Sequence, residues 1–253
     1  MSGGLEVDVR SLGVETLEQI ITTLEPLLTA RRQLRIEDAL ASRTRDVVLV
    51  LEDIANEHNG AAVLRTAEAF GFFEVHVIEP QSGRFKISER ISKGTEKWLE
   101  LHRYQRAADA YSTLRAQSRK IFASTLHGDA IDVAEIPIDE PVALVFGNEL
   151  LGLSPDALAR ADGYFRIPMS GFVESFNISV AAAISAYDLF ARRRARGLSG
   201  NLTEDDRRRV RAAWLVQAVK SAPAVLERAA LPVPVLHTHR FTLIAEDGST
   251  SGA

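Results

Sequence analysis

The chain contains no cysteine among its 253 residues. This absence excludes disulfide bonds, thiolate catalysis and thiolate metal sites, and it suits a cytoplasmic address. Long apolar runs are also missing, because the longest, residues 47–51 and 142–146, are far too short to cross a bilayer. Residues 1–7 lack the basic and apolar regions of a secretory signal. We therefore expect a cytoplasmic protein.

The chain also lacks an excess of basic residues, since 30 lysines and arginines oppose 34 aspartates and glutamates, a formal net charge of −4. This balance argues against indiscriminate binding of nucleic acids. Arginines nevertheless cluster near both ends. Two interpretations stay open, solvated helix faces or phosphate-binding surfaces, and the fork-shaped guanidinium favours the second. The clusters comprise Arg31, Arg32, Arg35, Arg43 and Arg45, and then Arg192, Arg193, Arg194, Arg196, Arg207, Arg208, Arg209 and Arg211.

Apolar runs alternate with helical stretches over residues 46–196. Continuous apolar runs are typical of buried parallel strands, and the stretches between them follow the spacing of amphipathic helices. The pattern predicts an α/β fold, a parallel sheet with helices on both faces. The predicted strands are 47–51, 74–79, 120–124, 142–146 and 164–167, and the predicted helices are 60–70, 107–118, 155–160 and 175–196; 88–98 is predicted as loop or short helix.

Helical extensions flank this region on both sides. The N-terminal extension, residues 1–45, carries an apolar stripe over 16–32, which Pro26 interrupts, and a second short helix over 36–42. The C-terminal extension, residues 197–253, begins with a linker at 197–201. It continues as a helical stretch over 204–230 and ends in a tail at 246–253 that is expected to be disordered. We therefore predict one α/β domain over 46–196 with two appendages.

The most informative segment is residues 167–183. Pro168 should end a strand, because proline cannot donate to a sheet ladder. Gly171 then permits backbone angles that other residues avoid. Polar residues follow where a helix leaves its first N–H groups unpaired, namely Ser175, Asn177 and Ser179. Taken alone, the segment fits a ligand-binding turn and a well-capped helix of an ordinary α/β protein equally well.

Two other motifs also follow predicted strands, at the sheet edge where open α/β folds bind ligands. Residues 58–71 include Asn59 and Arg65, which could also be a plain N-cap and a surface residue. Residues 144–153 include Gly147, which lets a ligand approach the backbone closely, and Glu149, a carboxylate just after a buried strand. The three motifs are therefore expected to share one site.

Taken in this order, the motifs resemble those of the SpoU branch of the SPOUT class, the RNA 2′-O-ribose methyltransferases. The resemblance covers residues 46–190 or so. The matching positions are Asn59, Arg65, Thr66, Gly147, Glu149, Pro168, Met169, Ser175, Phe176, Asn177, Ser179, Val180 and Ala181. The helical ends are similar to those of the tRNA methyltransferases that act on guanosine-18 of the D-loop. The alternatives are a ribosomal RNA 2′-O-methyltransferase and a non-catalytic RNA-binding protein of the same fold.

A dinucleotide-binding enzyme is disfavoured, because no Gly-x-Gly-x-x-Gly turn follows residues 47–51. The resemblance instead implies a C-terminal trefoil knot that binds S-adenosylmethionine. It also implies a homodimer, in which the first motif of one subunit meets the cofactor site of the other. The implied cofactor-binding residues are Ser124, Thr125, Leu126, Phe146, Gly147, Asn148, Ile167, Met169 and Phe176.

The resemblance assigns the central role in catalysis to Arg65. Because the pKa of arginine lies above about 12, this side chain is expected to bind phosphate and to orient or polarise the 2′-hydroxyl. Asn59, Glu149, Ser175 and Asn177 would order the site. No metal is expected, since the sulfonium is already activated, and His102, His127 and His237 have no metal-ligand partners at useful spacing. The expected RNA contacts are Arg31, Arg32, Arg35, Arg192, Arg193, Arg194 and Arg196.

Overall fold

The computed structural model describes residues 6–79, 94–126 and 128–236, and strands alternate with helices through most of them. The strands are β1 (Glu6–Asp8), β2 (Val47–Glu52), β3 (Glu74–Ile78), β4 (Glu100–Tyr104), β5 (Lys120–Ser124), β6 (Ile131–Asp132), β7 (Val142–Phe146), β8 (Gly163–Arg166) and β9 (Val233–Val235). The helices are α1 (Val14–Leu24), α2 (Ala30–Ser42), α3 (Glu57–Ala69), α4 (Ala107–Ala116), α5 (Pro155–Arg160), α6 (Ile178–Ala195), α7 (Glu204–Ala218) and α8 (Ala222–Arg228).

Seven strands form one parallel sheet in the order β4-β3-β2-β7-β5-β8-β6. The two central strands, β2 and β7, are buried along their whole length, as their unbroken apolar sequences require. After β2 the chain continues to β3 on one side of this central pair, whereas after β7 it continues to β8 on the other side. Such a switch point opens a crevice at the carboxyl ends of the two strands, where ligands bind in open α/β folds.

Helices cover both faces of this sheet and bury two apolar cores. Helices α3 and α6 pack on one face through small and branched side chains such as Val63, Ala182 and Leu189. Helices α4 and α5 pack on the other, where Tyr111 and Ala157 are fully buried. The prediction of an α/β fold with helices on both faces is therefore confirmed.

The two ends of the chain pack together. Strand β1 pairs in parallel with β9, and α1 packs along α7. A third apolar core, centred on Trp214, joins α1 and α2 to α7 and α8 and reaches the sheet through Phe73. The periodicity of the sequence indicates that each of these helices has an apolar face, but it does not indicate which faces meet. The sequence therefore predicts two separate appendages, whereas in the structure they share one core.

Several predicted helix boundaries move. Helix α1 ends at Leu24, just before Pro26, and a second helix begins at Ala30, so the interruption predicted at Pro26 is confirmed as a break between two helices. Helix α3 begins before Asn59, with Asn56 as its N-cap. The helical stretch over 204–230 breaks between α7 and α8. In each case a capping residue or proline sets the end.

Strands β1, β4, β6 and β9 were not predicted. β4, at the edge of the sheet, contains charged residues and a single aliphatic one, and the others have only two or three residues, so no buried apolar run marks them. Of the segment 88–98, the structure describes a 3-10 turn at Thr95–Trp98. The predicted tail at 246–253 lies outside the described residues, as do His127 and His237. No helix within the described ranges is long and apolar enough to cross a membrane.

A network of buried charges lies at the amino-terminal edge of the sheet. Glu74, 1% exposed, accepts hydrogen bonds from Arg119 at 2.6 Å and from Arg45. Arg45 also donates to Glu100 at 2.8 Å. Because every one of these buried charges has a partner of opposite sign, the network ties the starts of β2, β3, β4 and β5 together.

Two histidines extend this network across neighbouring strands. His76 of β3 lies directly opposite His102 of β4, and their ring centroids are 4.4 Å apart. Together with Glu74 they place three potential metal ligands within 4.8 Å, a grouping that the spacing of histidines in the sequence does not reveal. Arg45 and Arg119 already neutralise the Glu74 carboxylate. The absence of a metal in the reaction stays a prediction.

The fold is expected to lose stability as the pH falls below about 6.5. Burial lowers the pKa of His76 from its ordinary value of 6.5 to about 4. Between these values the unfolded chain binds a proton that the folded chain does not, so stability increases with pH across this window, by on the order of 3 kcal/mol. Urea unfolding at a series of pH values measures the slope. An imidazole of His76 that titrates near 6.5 by NMR would contradict the prediction.

Candidate active site

The three motifs meet at the carboxyl edge of β2 and β7. Asn59 lies in the first turn of α3, Glu149 follows β7, and Asn177 is the N-cap of α6. These positions are as far as 118 residues apart along the chain. Their side chains nevertheless form one hydrogen-bonded row, so the prediction that the motifs share a site is confirmed.

Asn59 is the centre of that row. Its Nδ2 donates to Oε1 of Glu149 at 2.6 Å, and its Oδ1 accepts from Nδ2 of Asn177 at 3.2 Å. The Oδ1 of Asn177 accepts in turn from the backbone N–H of Ser179 at 2.9 Å, which caps α6. Because Asn59 is only 9% exposed and uses both its donor and its acceptor, its amide orientation is fixed. The row holds the Glu149 carboxylate in place at the pocket described next.

A cavity of about 390 Å³ opens beside this row. Its walls come from the segments that follow β5, β7 and β8 and from the start of α6. Its volume falls in the usual range for cofactor pockets. All nine residues predicted to bind the cofactor line it, namely Ser124, Thr125, Leu126, Phe146, Gly147, Asn148, Ile167, Met169 and Phe176. Glu149 and Ser175 line it as well.

The loop after β7 is built to a fixed shape. Asn148 pairs with Gly152 through two backbone hydrogen bonds of 2.9 Å, and its side-chain Nδ2 donates to the carbonyl of Asp53 at 2.8 Å. A Cβ on Gly147 would lie 2.4 Å from the carbonyl carbon of Gly152. The sequence assigns this glycine to the approach of a ligand, but the structure shows that the loop's own backbone already needs the space.

The cavity also contains residues that the sequence analysis did not assign. Leu150 and Leu151 are 93% and 83% exposed, although both are large and apolar. Two leucines directly after a glutamate in a polar turn are a signal that could have drawn attention to them. The remaining unassigned lining residues are Gly152, Leu153, Leu158, Phe165, Arg166, Ile178 and Ala181.

Arg65 does not line this cavity in its own chain. It is exposed on α3, six residues after Asn59, which places the two side chains on different faces of the helix. Thr66 donates its hydroxyl to the carbonyl of Ala62 within the same helix. The structure therefore brings Asn59, Glu149, Ser175 and Asn177 to one pocket and leaves Arg65 outside it.

The C-terminal arginine cluster differs from its prediction. Arg193 is 4% exposed and donates to Asp46 at 2.5 Å and to the carbonyl of Ile138 at 2.7 Å. Its interpretation as an RNA contact is wrong, because both its charge and its donors are used inside the fold. Arg192 is also engaged, with Asp188 and with the carbonyls of Ile136 and Val133.

The rest of both clusters divides between structure and surface. Arg196 pairs with Asp139 at 3.2 Å, but both side chains are more than 60% exposed. Arg194 is exposed and has no ion pair within the described part of the chain. Arg31, Arg32 and Arg35 are exposed on α2. Five further arginines of the two clusters also pair with carboxylates, namely Arg43, Arg45, Arg208, Arg209 and Arg211.

Neighbouring arginines on α6 provide a direct test of this division. Arg193→Ala is expected to lower the free energy of unfolding by about 3 kcal/mol, because it leaves Asp46 without its buried partner. Arg194→Ala is expected to change it by less than about 0.5 kcal/mol and to reduce the salt dependence of RNA binding by about one phosphate contact. Denaturant unfolding and RNA titrations at several salt concentrations measure both. Equal stabilities of the two variants would refute the division.

Comparison with known proteins agrees with this geometry. Residues 46–187 match the model of the SpoU rRNA Methylase family. The chain is 36% identical over 201 residues to the tRNA (guanosine(18)-2′-O)-methyltransferase of Borreliella burgdorferi, covering 79% of this chain and 92% of that protein. It is 38% identical over 170 residues to the enzyme of the same name from Thermus thermophilus, covering 67% and 87%.

A solved structure extends the comparison to three dimensions. The TrmH/SpoU tRNA modifying enzyme of A. aeolicus superposes with a TM-score of 0.69 at 28% identity, covering 75% of this chain and 97% of that one. The family model spans more than half of the 253 residues and contains all three motifs. The chain therefore belongs to the SpoU methylase family.

Proposed function

We propose that the protein transfers a methyl group from S-adenosylmethionine to a ribose 2′-hydroxyl of RNA, and that its substrate is guanosine-18 in the D-loop of tRNA. One observation carries the proposal: the hydrogen-bonded row of Asn59, Glu149 and Asn177 borders the pocket that all nine predicted cofactor residues line. The names of the Borreliella and Thermus relatives support the choice of tRNA. The subcellular site proposed with it is the cytoplasm.

The volume and the lining of the pocket support binding of S-adenosylmethionine. Apolar side chains such as Leu126, Ile167 and Phe176 suit an adenine ring, and no dinucleotide-type glycine turn is needed. Glu149 brings a carboxylate to a pocket that would receive a sulfonium cation. When bound, the cofactor supplies an electrophilic methyl group. The trefoil knot expected from the family is proposed with it, at the segments after β5, β7 and β8 that line the cavity.

The chain's own residues would position the acceptor ribose. The row fixed by Asn59 presents Glu149 and Asn177 to the 2′-hydroxyl, the group that distinguishes RNA from DNA. Arg65 would bind the adjacent phosphate and polarise the hydroxyl as its proton leaves, since a guanidinium stays charged near neutral pH. These roles are positioning and electrostatic, and they suit a reaction whose methyl donor is already activated.

We propose that the site is completed by a second copy of the chain. Arg65 lies outside the pocket of its own chain. Large apolar side chains are exposed in the loops that line the pocket and along α6, where a partner would cover them. They include Leu150, Leu151, Phe172, Val173 and, on α6, Val180 and Tyr187. A homodimer would bury this patch and could bring the Arg65 of one subunit to the pocket of the other.

The division of labour along the chain follows from the same proposal. Residues 46–196 would form the methyltransferase domain. The extensions at 1–45 and 197–253, whose described parts share one core, would form an RNA-docking unit. Exposed Arg31, Arg32 and Arg35 give this unit uncompensated positive charge near a phosphate backbone.

Identification of the product tests the proposed function. Purified protein is incubated with S-adenosylmethionine and unmodified tRNA transcripts, and the digested RNA is analysed by mass spectrometry. We expect 2′-O-methylguanosine that maps to position 18. Methylation of ribosomal RNA instead would replace the substrate and keep the chemistry. No methylation of either RNA would favour a non-catalytic RNA-binding protein.

A further inference from the structure

A second cavity, of about 490 Å³, lies between α2, the Thr95–Trp98 turn and α7. We call it the arginine–tryptophan pocket. It is lined by Arg31, Arg32, Arg35 and Arg43 and by Trp98 and Trp214. It shares no lining residue with the cofactor pocket. The proposed function uses Arg31, Arg32 and Arg35 only as exposed charge toward the RNA backbone and assigns no ligand to the pocket itself.

The charge of this pocket is strongly positive. Four arginines and one glutamate line it, so its net charge is +3, and that glutamate, Glu68, already pairs with Arg43 at 2.9 Å. Arg31 and Arg32 lie in the first turn of α2, the positive end of its helix dipole, where basic side chains are unfavourable. Neither has a carboxylate partner within the described residues. A bound anion would offset this repulsion.

The walls of the pocket suit an aromatic base. Trp98 is partly exposed, and its ring meets that of Trp214 edge-on, with centroids 5.7 Å apart. Trp214 Nε1 and Arg43 Nε are buried and have no hydrogen-bond acceptor in the described ranges of the chain. An aromatic side chain beside guanidinium groups is the combination that binds unstacked nucleotides, through the base face and the phosphate.

The position of the pocket relates it to the proposed reaction. Glu68 lies three residues after Arg65 in α3, so the two side chains are neighbours on the helix surface, about 5–6 Å apart at Cβ. If Arg65 holds the phosphate next to the reacting ribose, a nearby nucleotide of the same strand would reach the pocket. We propose that the arginine–tryptophan pocket binds one unstacked nucleotide of the RNA substrate. This inference rests on the proposed function.

Tryptophan fluorescence reports directly on this pocket, because the chain has two tryptophans and both of them line it. Guanosine 5′-monophosphate is titrated into the full-length protein, and tryptophan fluorescence is corrected for absorbance. We expect saturable quenching. The double variant Arg31→Ala/Arg35→Ala should weaken this binding at least roughly tenfold, since it removes two charge-assisted contacts to the phosphate. Arg228→Ala, an exposed arginine outside the pocket, is the matched control and should bind as the wild type does.

Two further titrations, with tRNA and with inorganic phosphate, identify the source of the nucleotide and the part of it that the pocket recognises. An unmodified tRNA transcript should quench the same fluorescence and compete with the mononucleotide. If only the mononucleotide binds, the pocket serves a free nucleotide, and the RNA assignment is wrong. If inorganic phosphate binds as tightly as guanosine 5′-monophosphate, the base is not recognised, and the proposal is also wrong. Absence of saturable quenching by every ligand overturns it outright.

Methyl transfer separates this inference from the function on which it rests. The Arg31→Ala/Arg35→Ala variant should raise the KM for tRNA roughly tenfold and leave kcat nearly unchanged, because the pocket binds a non-reacting nucleotide. An unchanged KM in an active enzyme would overturn the pocket and the docking role of these arginines, and would leave the proposed reaction in place. Quenching by nucleotide and tRNA in a protein that methylates no RNA would overturn the proposed reaction and leave the pocket as an RNA-binding site.

Discussion

Replacing Arg65 with alanine is expected to reduce methyl transfer to RNA roughly 1,000-fold while S-adenosylmethionine binds as tightly as before. Methyl transfer should fall because the guanidinium that would polarise the 2′-hydroxyl is lost. Cofactor binding should survive because Arg65 is exposed on α3 and lies outside the cofactor cavity of its own chain. Single-turnover rates with tRNA, together with calorimetric titration of the cofactor, measure the two quantities separately.

The controls for Arg65 decide how it acts. Arg160→Ala, which removes an exposed arginine of α5 that has no proposed role in the reaction, should leave the rate unchanged. Arg65→Lys keeps the charge but loses the planar fork, so it should recover only part of the activity. Mixed dimers of Arg65→Ala with Asn177→Ala should regain one intact site if Arg65 acts on the partner's pocket. An Arg65→Ala enzyme with wild-type turnover would remove the assigned role.

Replacing Gly147 with alanine is expected to weaken cofactor binding and to lower methyl transfer roughly 100-fold. A Cβ at this position would lie 2.4 Å from backbone atoms of Gly152 and Leu153, about 1 Å closer than an ordinary contact of 3.4 Å. Backbone cannot rotate away as a side chain can, so the loop that presents Glu149 must shift. Cofactor titration and steady-state kinetics measure the effect.

Gly171→Ala provides the matched control. It makes the same substitution at a glycine of the third motif, whereas Gly147 belongs to the second. A Cβ on Gly171 meets no atom within 4 Å, and its φ is not in the left-handed region. The sequence suggests special backbone angles at this turn, but the structure does not require them. We expect wild-type cofactor affinity from this variant. Equal losses at the two glycines would show that loop flexibility, and not the close backbone contact, explains the effect at Gly147.

The sequence by itself determined the sheet edge at which the cofactor cavity lies, and its resemblance to the SpoU family indicated the nine residues expected to line it. Parallel strands end at a common edge, so residues that follow β5, β7 and β8 must converge there whatever the details of packing. Ser124 and Phe146 end β5 and β7, Ile167 follows β8, and all nine residues predicted for the cofactor line one cavity. The strands themselves could be predicted because a short unbroken apolar run between helices is typical of a strand buried on both faces of a sheet.

Only the tertiary structure decided which charged residues are used inside the fold and which remain for a ligand. Arg193 and Arg194 are adjacent in the sequence, yet one is buried against Asp46, 147 residues away, and the other is exposed. The pairing of His76 with His102 and the shared core of the two chain ends depend in the same way on contacts between distant segments. The local sequence determines which charged or polar group each position carries. The partner of each charge is fixed by long-range packing, which single-residue patterns do not encode.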